Sequence, residues 1–101
     1  MNVPLRIVYS PRGAELMEIA DAWWRENRQA APALLRNEVA SALSSLAAMP
    51  NLGTIAPANV AADTRRILLP RTRHHLYYRA TADAIIVLAV WHSVRGEGPQ
   101  L

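Results

Sequence analysis

A chain of 101 residues, 51% of them apolar, is long enough to form one small domain and too apolar to be a disordered tail. It contains no Cys, which excludes disulfides, thiolate nucleophiles and thiolate metal sites. The formal net charge of +3 comes from eleven Arg and no Lys, and it favours an acidic partner, either nucleic acid or an acidic protein segment.

The first part of the chain predicts a strand and an amphipathic helix. Residues 5–9 (Leu-Arg-Ile-Val-Tyr) are typical of a short strand. Ser10 and Pro11 end it, because Ser is a good N-cap and Pro suits the first position of a helix. Apolar residues then recur at helical spacing over 11–28, so we expect one face of this helix to be buried.

A second helix and a long loop follow. Residues 30–32 (Ala-Ala-Pro) start the helix, since Pro is tolerated only in its first turn, and Pro50 stops it. Two helices joined by a few residues form a hairpin that must bury its apolar stripes against another layer. Residues 50–63 contain two Pro and a Gly and predict a loop.

The last third of the chain predicts three strands. They cover residues 66–69, 74–79 and 84–91, and residues 80–83 suit a β-hairpin loop between the last two. The final run is apolar on both faces, which is typical of a central strand. The order β-α-α-β-β-β predicts an α+β fold, with a helical hairpin packed on one face of a mainly antiparallel sheet.

The positive charge is concentrated in the second half. Residues 1–53 hold five Arg and five acidic residues, whereas residues 54–101 hold six Arg and three acidic residues. An acidic partner is therefore expected to bind the later part of the chain.

Three stretches together resemble toxins of the ParE/RelE type. Residues 8–12 (Val-Tyr-Ser-Pro-Arg) are similar to the opening of these toxins, and residues 49–53 (Met-Pro-Asn-Leu-Gly) are similar to their Pro-x-x-Gly exit from the second helix. The most specific likeness is to the ending of the ParE-like branch. It is carried by Arg66, residues 74–79 (His-His-Leu-Tyr-Tyr-Arg), residues 85–92 and Arg95.

The resemblance implies a single toxin domain over residues 1–101, part of a type II toxin–antitoxin system. A cognate antitoxin is implied to wrap and neutralise the toxin in a hetero-oligomer that contacts operator DNA only through the antitoxin. ParE-type members are implied to poison DNA gyrase, and RelE-type members to cut mRNA on the ribosome. No run approaches the roughly 20 apolar residues of a membrane span and the start lacks a signal-peptide pattern, so we expect a cytoplasmic protein without membrane contact.

Catalysis is the main alternative to binding. RNA cleavage needs groups that deprotonate a 2′-OH, protonate a leaving oxygen and stabilise a phosphorane-like charge. RelE-like nucleases are implied to use Lys, Arg and Tyr, whereas this chain has no Lys and no Tyr after Tyr78. We therefore expect a binding toxin without a catalytic site. The alternatives are a decayed toxin that only binds antitoxin, and an endoribonuclease built on His75, Arg79, His92 and Arg95, with Arg73 nearby.

The residues expected to bind partners are Trp23, Trp24, Arg65, Arg66, Arg71, Arg73, Arg79 and Arg95. Adjacent helical residues point about 100° apart, so either one Trp anchors the core while the other is a partly exposed hot spot, or both are core. The Arg residues either form a solvated edge or bind carboxylates or phosphates through the planar array of donors of their guanidinium groups. Arg79 has a further alternative, an ion pair with Asp83.

The His residues do not predict a metal site. His74 and His75 are adjacent in a strand and point to opposite faces, so they cannot readily bind one ion, and we expect neither metal nor cofactor. His92 is either a hydrogen-bonded structural residue or an acid–base group.

Overall fold

Two helices pack on one face of a five-stranded sheet in the computed structural model, which describes residues 3–57, 60–94 and 98–99. The elements are β1 Arg6–Tyr9, α1 Pro11–Asn27, α2 Leu34–Ala48, β2 Thr54–Ile55, β3 Arg65–Leu69, β4 His74–Ala80 and β5 Ala84–His92. The strand order is β1-β5-β4-β3-β2, and every pairing is antiparallel except that of β1 with β5. The predicted α+β fold and the central position of β5 are confirmed.

Two differences from the predictions exceed a shift of one residue, one at the start of α2 and one in the loop before β3. The helix α2 begins at Leu34, because residues 28–33 form turns in which the Ala31 carbonyl accepts from Leu34 N at 3.1 Å and from Trp24 Nε1 at 2.8 Å. The predicted loop 50–63 contains the two-residue strand β2, which pairs with Arg65 and Arg66. The first difference depends on local turn hydrogen bonds, and the second depends on pairing with β3.

The start of α1 fixes the helix against the centre of the sheet. Ser10 is the N-cap, and its Oγ accepts from Gly13 N at 2.9 Å, which satisfies one of the first free amides of the helix. A Cβ on Gly13 would overlap the carbonyl oxygen of Val87 in β5. Glycine is therefore required here, because the helix approaches the strand backbone directly.

The core lies between the helices and the sheet. Its most buried members come from both layers: Leu35, Val39, Leu46, Leu69, Leu76, Tyr78, Ile85 and Val87. On β4 the residues that face the helices are the even-numbered ones, from His74 to Tyr78, and the odd-numbered ones face the other side. We call that other side the open face.

A bulge changes the facing of residues along β5. Tyr78 pairs with Val87 and Tyr77 pairs with Ala89, so Leu88 is an extra residue. Ile85 and Val87 face the helices before the bulge, and Val90 faces them after it. His92, two residues beyond Val90, therefore also lies on the helix side.

An ion cluster joins α1 to α2. Arg25 Nε and Arg36 Nη2 each donate to Asp21 Oδ2 at 2.9 Å, and Arg36 Nη2 also lies 3.2 Å from Glu18 Oε1. Burial alone would raise the pKa of Asp21, but the hydrogen bonds from Arg25 and Arg36 hold it below its ordinary value. The cluster fixes the angle of the helical hairpin that covers the sheet.

A second polar cluster holds the exit from α2. Tyr78 Oη donates to Pro50 O at 2.8 Å and accepts from Gly53 N at 3.0 Å, while Arg65 Nη1 donates to Gly53 O at 2.8 Å. Burial raises the pKa of Tyr78, so its hydroxyl stays protonated and can donate. No helix in the described part of the chain is long and apolar enough to cross a bilayer.

Candidate partner-binding surfaces

A groove with apolar walls lies between α1 and the end of β5. It has a volume of about 600 Å³, and we call it the α1–β5 groove. Its walls include Leu16, Ile19, Trp23, Arg28, His92 and Val94. Because the helix supplies one wall and the last strand the other, this groove unites two regions that are far apart in sequence.

Trp23 is the central side chain of the groove. It is 44% exposed, and it lies between His92, with ring centroids 6.2 Å apart, and Arg28, whose Cζ is 5.4 Å from the ring centroid. Its neighbour Trp24 is only 6% exposed and donates through Nε1 to Ala31 O. One Trp therefore anchors the core while the other is partly exposed. Trp24, which we had expected to bind a partner, is not accessible on the surface.

The rim of the groove is apolar and basic. Ile19 and Val94 are exposed on either side of Trp23. Arg28 and Arg12 supply positive charge, and Arg12 also pairs with Glu15 at 2.9 Å. A surface with an exposed aromatic residue and Arg forks suits a segment that presents apolar side chains and carboxylates.

His92 is part of this groove through its contact with His74. The two residues are paired across β4 and β5, and their rings meet edge to face with centroids 4.9 Å apart. His74 is buried and its Nδ1 lies 3.0 Å from Thr72 O, whereas His92 Nδ1 accepts from Val94 N at 3.4 Å. Both histidines therefore carry hydrogen bonds to the backbone.

The open face carries a different set of polar side chains. Arg66 Nη1 donates to Tyr77 Oη at 3.3 Å, and the rings of Tyr77 and His75 are 6.1 Å apart. Burial, followed by the positive charge of Arg66, lowers the pKa of His75, so the imidazole is neutral at pH 7. Tyr77 itself is covered, because it packs in a cluster with Val60 and Ala89.

The sheet separates the residues of the predicted nuclease set. His75 and Arg79 lie on the open face, at alternate positions of β4. His92 lies on the helix side, next to His74 and Trp23. Arg95, the fourth member of the set and also a predicted partner-binding residue, is outside the residues that the structure describes. The two histidines are therefore not brought together.

The remaining predicted arginines have separate environments. Arg65 donates a hydrogen bond to the Gly53 carbonyl. Arg71 and Arg73 are exposed in the turn between β3 and β4. Arg73 adopts a positive φ of 62°. Arg79 is exposed, and Asp83, its expected ion-pair partner, lies instead 3.5 Å from Arg6.

Most of the residues that line the groove were not predicted from the sequence to bind a partner. Arg12, Ile19, Arg28 and Val94 line it, but none was predicted to bind a partner. Ile19 and Trp23 are four residues apart and share one helix face. That face is distinct from the buried face of Leu16, Ala20 and Trp24. The spacing of Ile19 and Trp23 is therefore the sequence feature that could have predicted an exposed apolar face. Among the described residues, no three His, Asp or Glu side chains group closely enough to hold a metal ion.

Comparisons with known proteins agree with this architecture. The profile of the family described as "ParE toxin of type II toxin-antitoxin system, parDE" matches residues 7–96. A solved structure described as "Chromosomal ParDE TA system from P. aeruginosa" is similar in fold, with a TM-score of 0.67 and 15% sequence identity. That alignment covers 87% of this chain and 95% of the other. No curated protein sequence matches the chain.

Proposed function

The chain belongs to the ParE toxin family of type II toxin–antitoxin systems, and from this premise we propose that it inhibits DNA gyrase by binding and is neutralised by a cognate antitoxin. The observation that carries the binding mode is the separation of His75 from His92 by the sheet. General acid–base cleavage needs its groups within hydrogen-bond reach of one reacting phosphate, and two faces of a sheet cannot provide that. A toxin that acts by binding its target needs a complementary surface and no catalytic groups.

The α1–β5 groove is the surface that we assign to the target. It combines the helical hairpin with the end of the sheet, and its partly exposed Trp23 has the features of a binding hot spot: an aromatic ring with an Arg beside it and apolar neighbours around it. The toxin would hold gyrase in its DNA-cleaved state without doing chemistry itself.

A supercoiling assay with purified toxin tests this proposal. Wild-type toxin should inhibit gyrase, and Trp23→Ala should raise the inhibitory concentration by about tenfold, the effect of losing roughly 1.4 kcal/mol at a hot spot. Met49→Ala is the matched control, because Met49 is an exposed apolar residue that does not line the groove. Unchanged gyrase activity at a large excess of wild-type toxin would refute the proposal.

The antitoxin is the second proposed partner. Exposed Arg side chains beside apolar surface favour an antitoxin segment in which acidic residues are interleaved with aliphatic ones. The complex would be a cytoplasmic hetero-oligomer that reaches operator DNA through the antitoxin. Because the antitoxin would bind only folded toxin, the complex should melt at a higher temperature than the isolated toxin, and equal melting temperatures would contradict this.

A ribosome-dependent endoribonuclease is the second candidate function. The observation that favours it is His75 beside Arg66 on the open face, with a lowered pKa that leaves the imidazole able to accept a proton. Such an enzyme would lose mRNA cleavage at the ribosomal A site in His75→Ala and retain it in His92→Ala. Absence of cleavage by wild-type toxin would remove this candidate.

A further inference from the structure

The strand β1 forms one edge of the sheet. Among the described strands it is the outermost, because β5 pairs with one side of it and no strand pairs with the other. All four of its residues are exposed, and three of them, Ile7, Val8 and Tyr9, carry large apolar side chains. The fold therefore leaves an apolar strand at the surface.

The backbone groups of Ile7 and Tyr9 point out of this edge. Arg6 N donates to Asp83 O at 3.2 Å, so Arg6 is directed towards β5. Backbone directions alternate along a strand, and the odd-numbered residues of β1 are therefore directed away from β5. Two N–H groups and two C=O groups, those of Ile7 and Tyr9, face outwards.

The stretch of outward groups is short. Before it, Leu5 N donates to Ala47 O in α2 at 3.0 Å and is already satisfied. After it, Pro11 begins α1 and has no N–H. The available edge is therefore residues 7–9, with Val8 at its centre.

A second copy of β1 matches this edge in one antiparallel register. When Val8 lies opposite Val8 of the second copy on a two-fold axis, Ile7 lies opposite Tyr9 on both sides of the axis. Because these residues direct their backbone groups outwards, each such pair exchanges two N–H···O=C bonds. This register satisfies all the outward groups of both strands.

The side chains are also complementary in this register. Ile7 and Tyr9 lie on the helix side of the sheet, since they pair with Ile85 and Val87, which face the helices. Ile7 therefore meets Tyr9 of the second copy twice, and pairs of aromatic and β-branched residues stabilise antiparallel strands. Val8 meets Val8 of the second copy on the open face.

The charges do not oppose this pairing. Arg6 is the charged residue of β1, and it lies 3.5 Å from Asp83 in an ion pair. In the register centred on Val8 it lies opposite Ser10, so the two copies of Arg6 are about 14 Å apart, at four residues of strand rise. Salt screens most of their repulsion, since the Debye length at physiological ionic strength is about 8 Å.

We propose that two copies of this chain pair antiparallel through β1, with Val8 on the two-fold axis, and form a dimer with one continuous sheet. Such an interface is isologous and closes on itself, because each copy uses its β1 edge once. The α1–β5 groove lies next to His92, at the end of β5 away from residues 84–87, which pair with β1. The dimer therefore presents two α1–β5 grooves, and the inference does not depend on the proposed gyrase target.

Two other occupants fit the edge less well. An acidic strand finds no uncommitted positive charge in β1, because Arg6 is already paired with Asp83. A helix satisfies its own backbone groups and leaves those of Ile7 and Tyr9 without a partner. The strand β1 also lacks the Lys, Pro and bulge with which edge strands commonly prevent pairing.

Substitutions at Val8 test the position of the axis. Val8→Lys places two like charges directly opposite each other in the dimer, whereas in a single chain this side chain lies at the surface. Sedimentation equilibrium of the full chain should show a monomer–dimer equilibrium. Val8→Lys and Val8→Glu should each raise the dimer dissociation constant at least about tenfold. An equimolar mixture of the two variants should dimerise again, because opposite charges then meet on the axis.

A control at the opposite edge shows whether the effect is specific. Ile55 is an exposed β-branched residue of β2, so Ile55→Lys adds the same charge far from β1 and should leave the dissociation constant unchanged. A wild-type chain that is monomeric up to its solubility limit would overturn the proposal. A dimer that Val8→Lys does not weaken, or that Ile55→Lys weakens equally, would overturn it too, as would a monomeric mixture of Val8 variants that are both folded by circular dichroism.

Amide hydrogen exchange gives a readout that needs no variant. The amides of Ile7 and Tyr9 should exchange at least about tenfold more slowly at concentrations where the chain is dimeric than where it is monomeric, because they then donate strand hydrogen bonds. The Val8 amide is the internal control, since it is directed towards β5 in both states. Equal exchange of Ile7 and Tyr9 at both concentrations would refute strand pairing.

Discussion

Glu38 on α2 holds the turn between β3 and β4 through Thr72. Glu38 Oε1 accepts from Thr72 N at 3.0 Å and from Thr72 Oγ1 at 2.7 Å, and Oε2 accepts from Arg71 N at 2.8 Å. One carboxylate therefore satisfies two backbone amides of a turn in which Arg73 adopts a positive φ. The link joins the second helix to the turn that follows β3.

Glu38→Ala should lower the free energy of unfolding by about 2–3 kcal/mol, because hydrogen bonds to a charged acceptor each contribute roughly 1.5–3 kcal/mol and one amide is exposed. Glu38→Gln should lower the free energy of unfolding by about half as much, because its side-chain amide keeps one acceptor oxygen. Urea denaturation measures both changes. Ser41→Ala, one turn along the same helix, is the control, and a Glu38→Ala variant as stable as this control would contradict the assignment.

The ion cluster at Asp21 makes stability depend on pH in the acid range. The folded-state pKa of Asp21 is below its ordinary value of 3.8, so its contribution to stability is complete above that pH. The contribution is lost as the pH falls through the folded-state pKa.

Asp21→Asn should therefore destabilise the protein by about 1–3 kcal/mol at pH 7, where it removes a buried charged acceptor. The difference from wild type should shrink as the pH falls from 4 to 2. Guanidinium denaturation at several pH values measures it. A difference that stays constant down to pH 2 would show that the Asp21 carboxylate does not retain its low pKa.

The two adjacent tryptophans should differ sharply in their effect on stability. Trp24→Ala should cost about 3–5 kcal/mol, because it removes a buried ring and the hydrogen bond to Ala31. Trp23→Ala should cost less than about 1 kcal/mol, since much of that ring is exposed. Thermal and urea unfolding compare the two variants. Similar losses of stability in both would contradict the orientation of α1, in which Trp24 faces the core.

Gly53→Ala should destabilise the exit from α2. A Cβ at this position would lie 2.7 Å from both Arg66 O and Tyr78 Oη, and the first of these is a strand backbone atom that cannot move freely. We expect a loss of about 1–3 kcal/mol in unfolding free energy, typical of overpacking. Gly13→Ala should cost more, because its Cβ would overlap a carbonyl of the central strand β5. Wild-type stability in both variants would contradict these close contacts.

The sequence predicts those parts of the fold that depend on local pattern. Ser10-Pro11 marks the start of α1, and a run apolar on both faces marks β5 as central. The strand β2 was not predicted, because two residues carry no periodicity. It forms beside Gly53, which Arg65 and Tyr78 hold in place from distant strands.

The candidate sites were less predictable, because they depend on helix packing and on a bulge in β5. Helical spacing shows that Trp23 and Trp24 diverge, but only packing shows which one meets the sheet. Counting by twos from Ile85 would place His92 on the open face with His75. The bulge at Leu88 reverses the facing, and a bulge of this kind has no signature in the residues around it.

The parallel pairing of β1 with β5 has a consequence for how the protein is made. The first strand and α1 are synthesised before β5, the strand that they contact most, so these native contacts form only after β5 has been translated. Pairings between distant residues also slow folding, because the chain must close a long loop before it gains their contacts. The sheet is therefore completed late, because β5 joins β1 to β4 only after most of the chain has been translated.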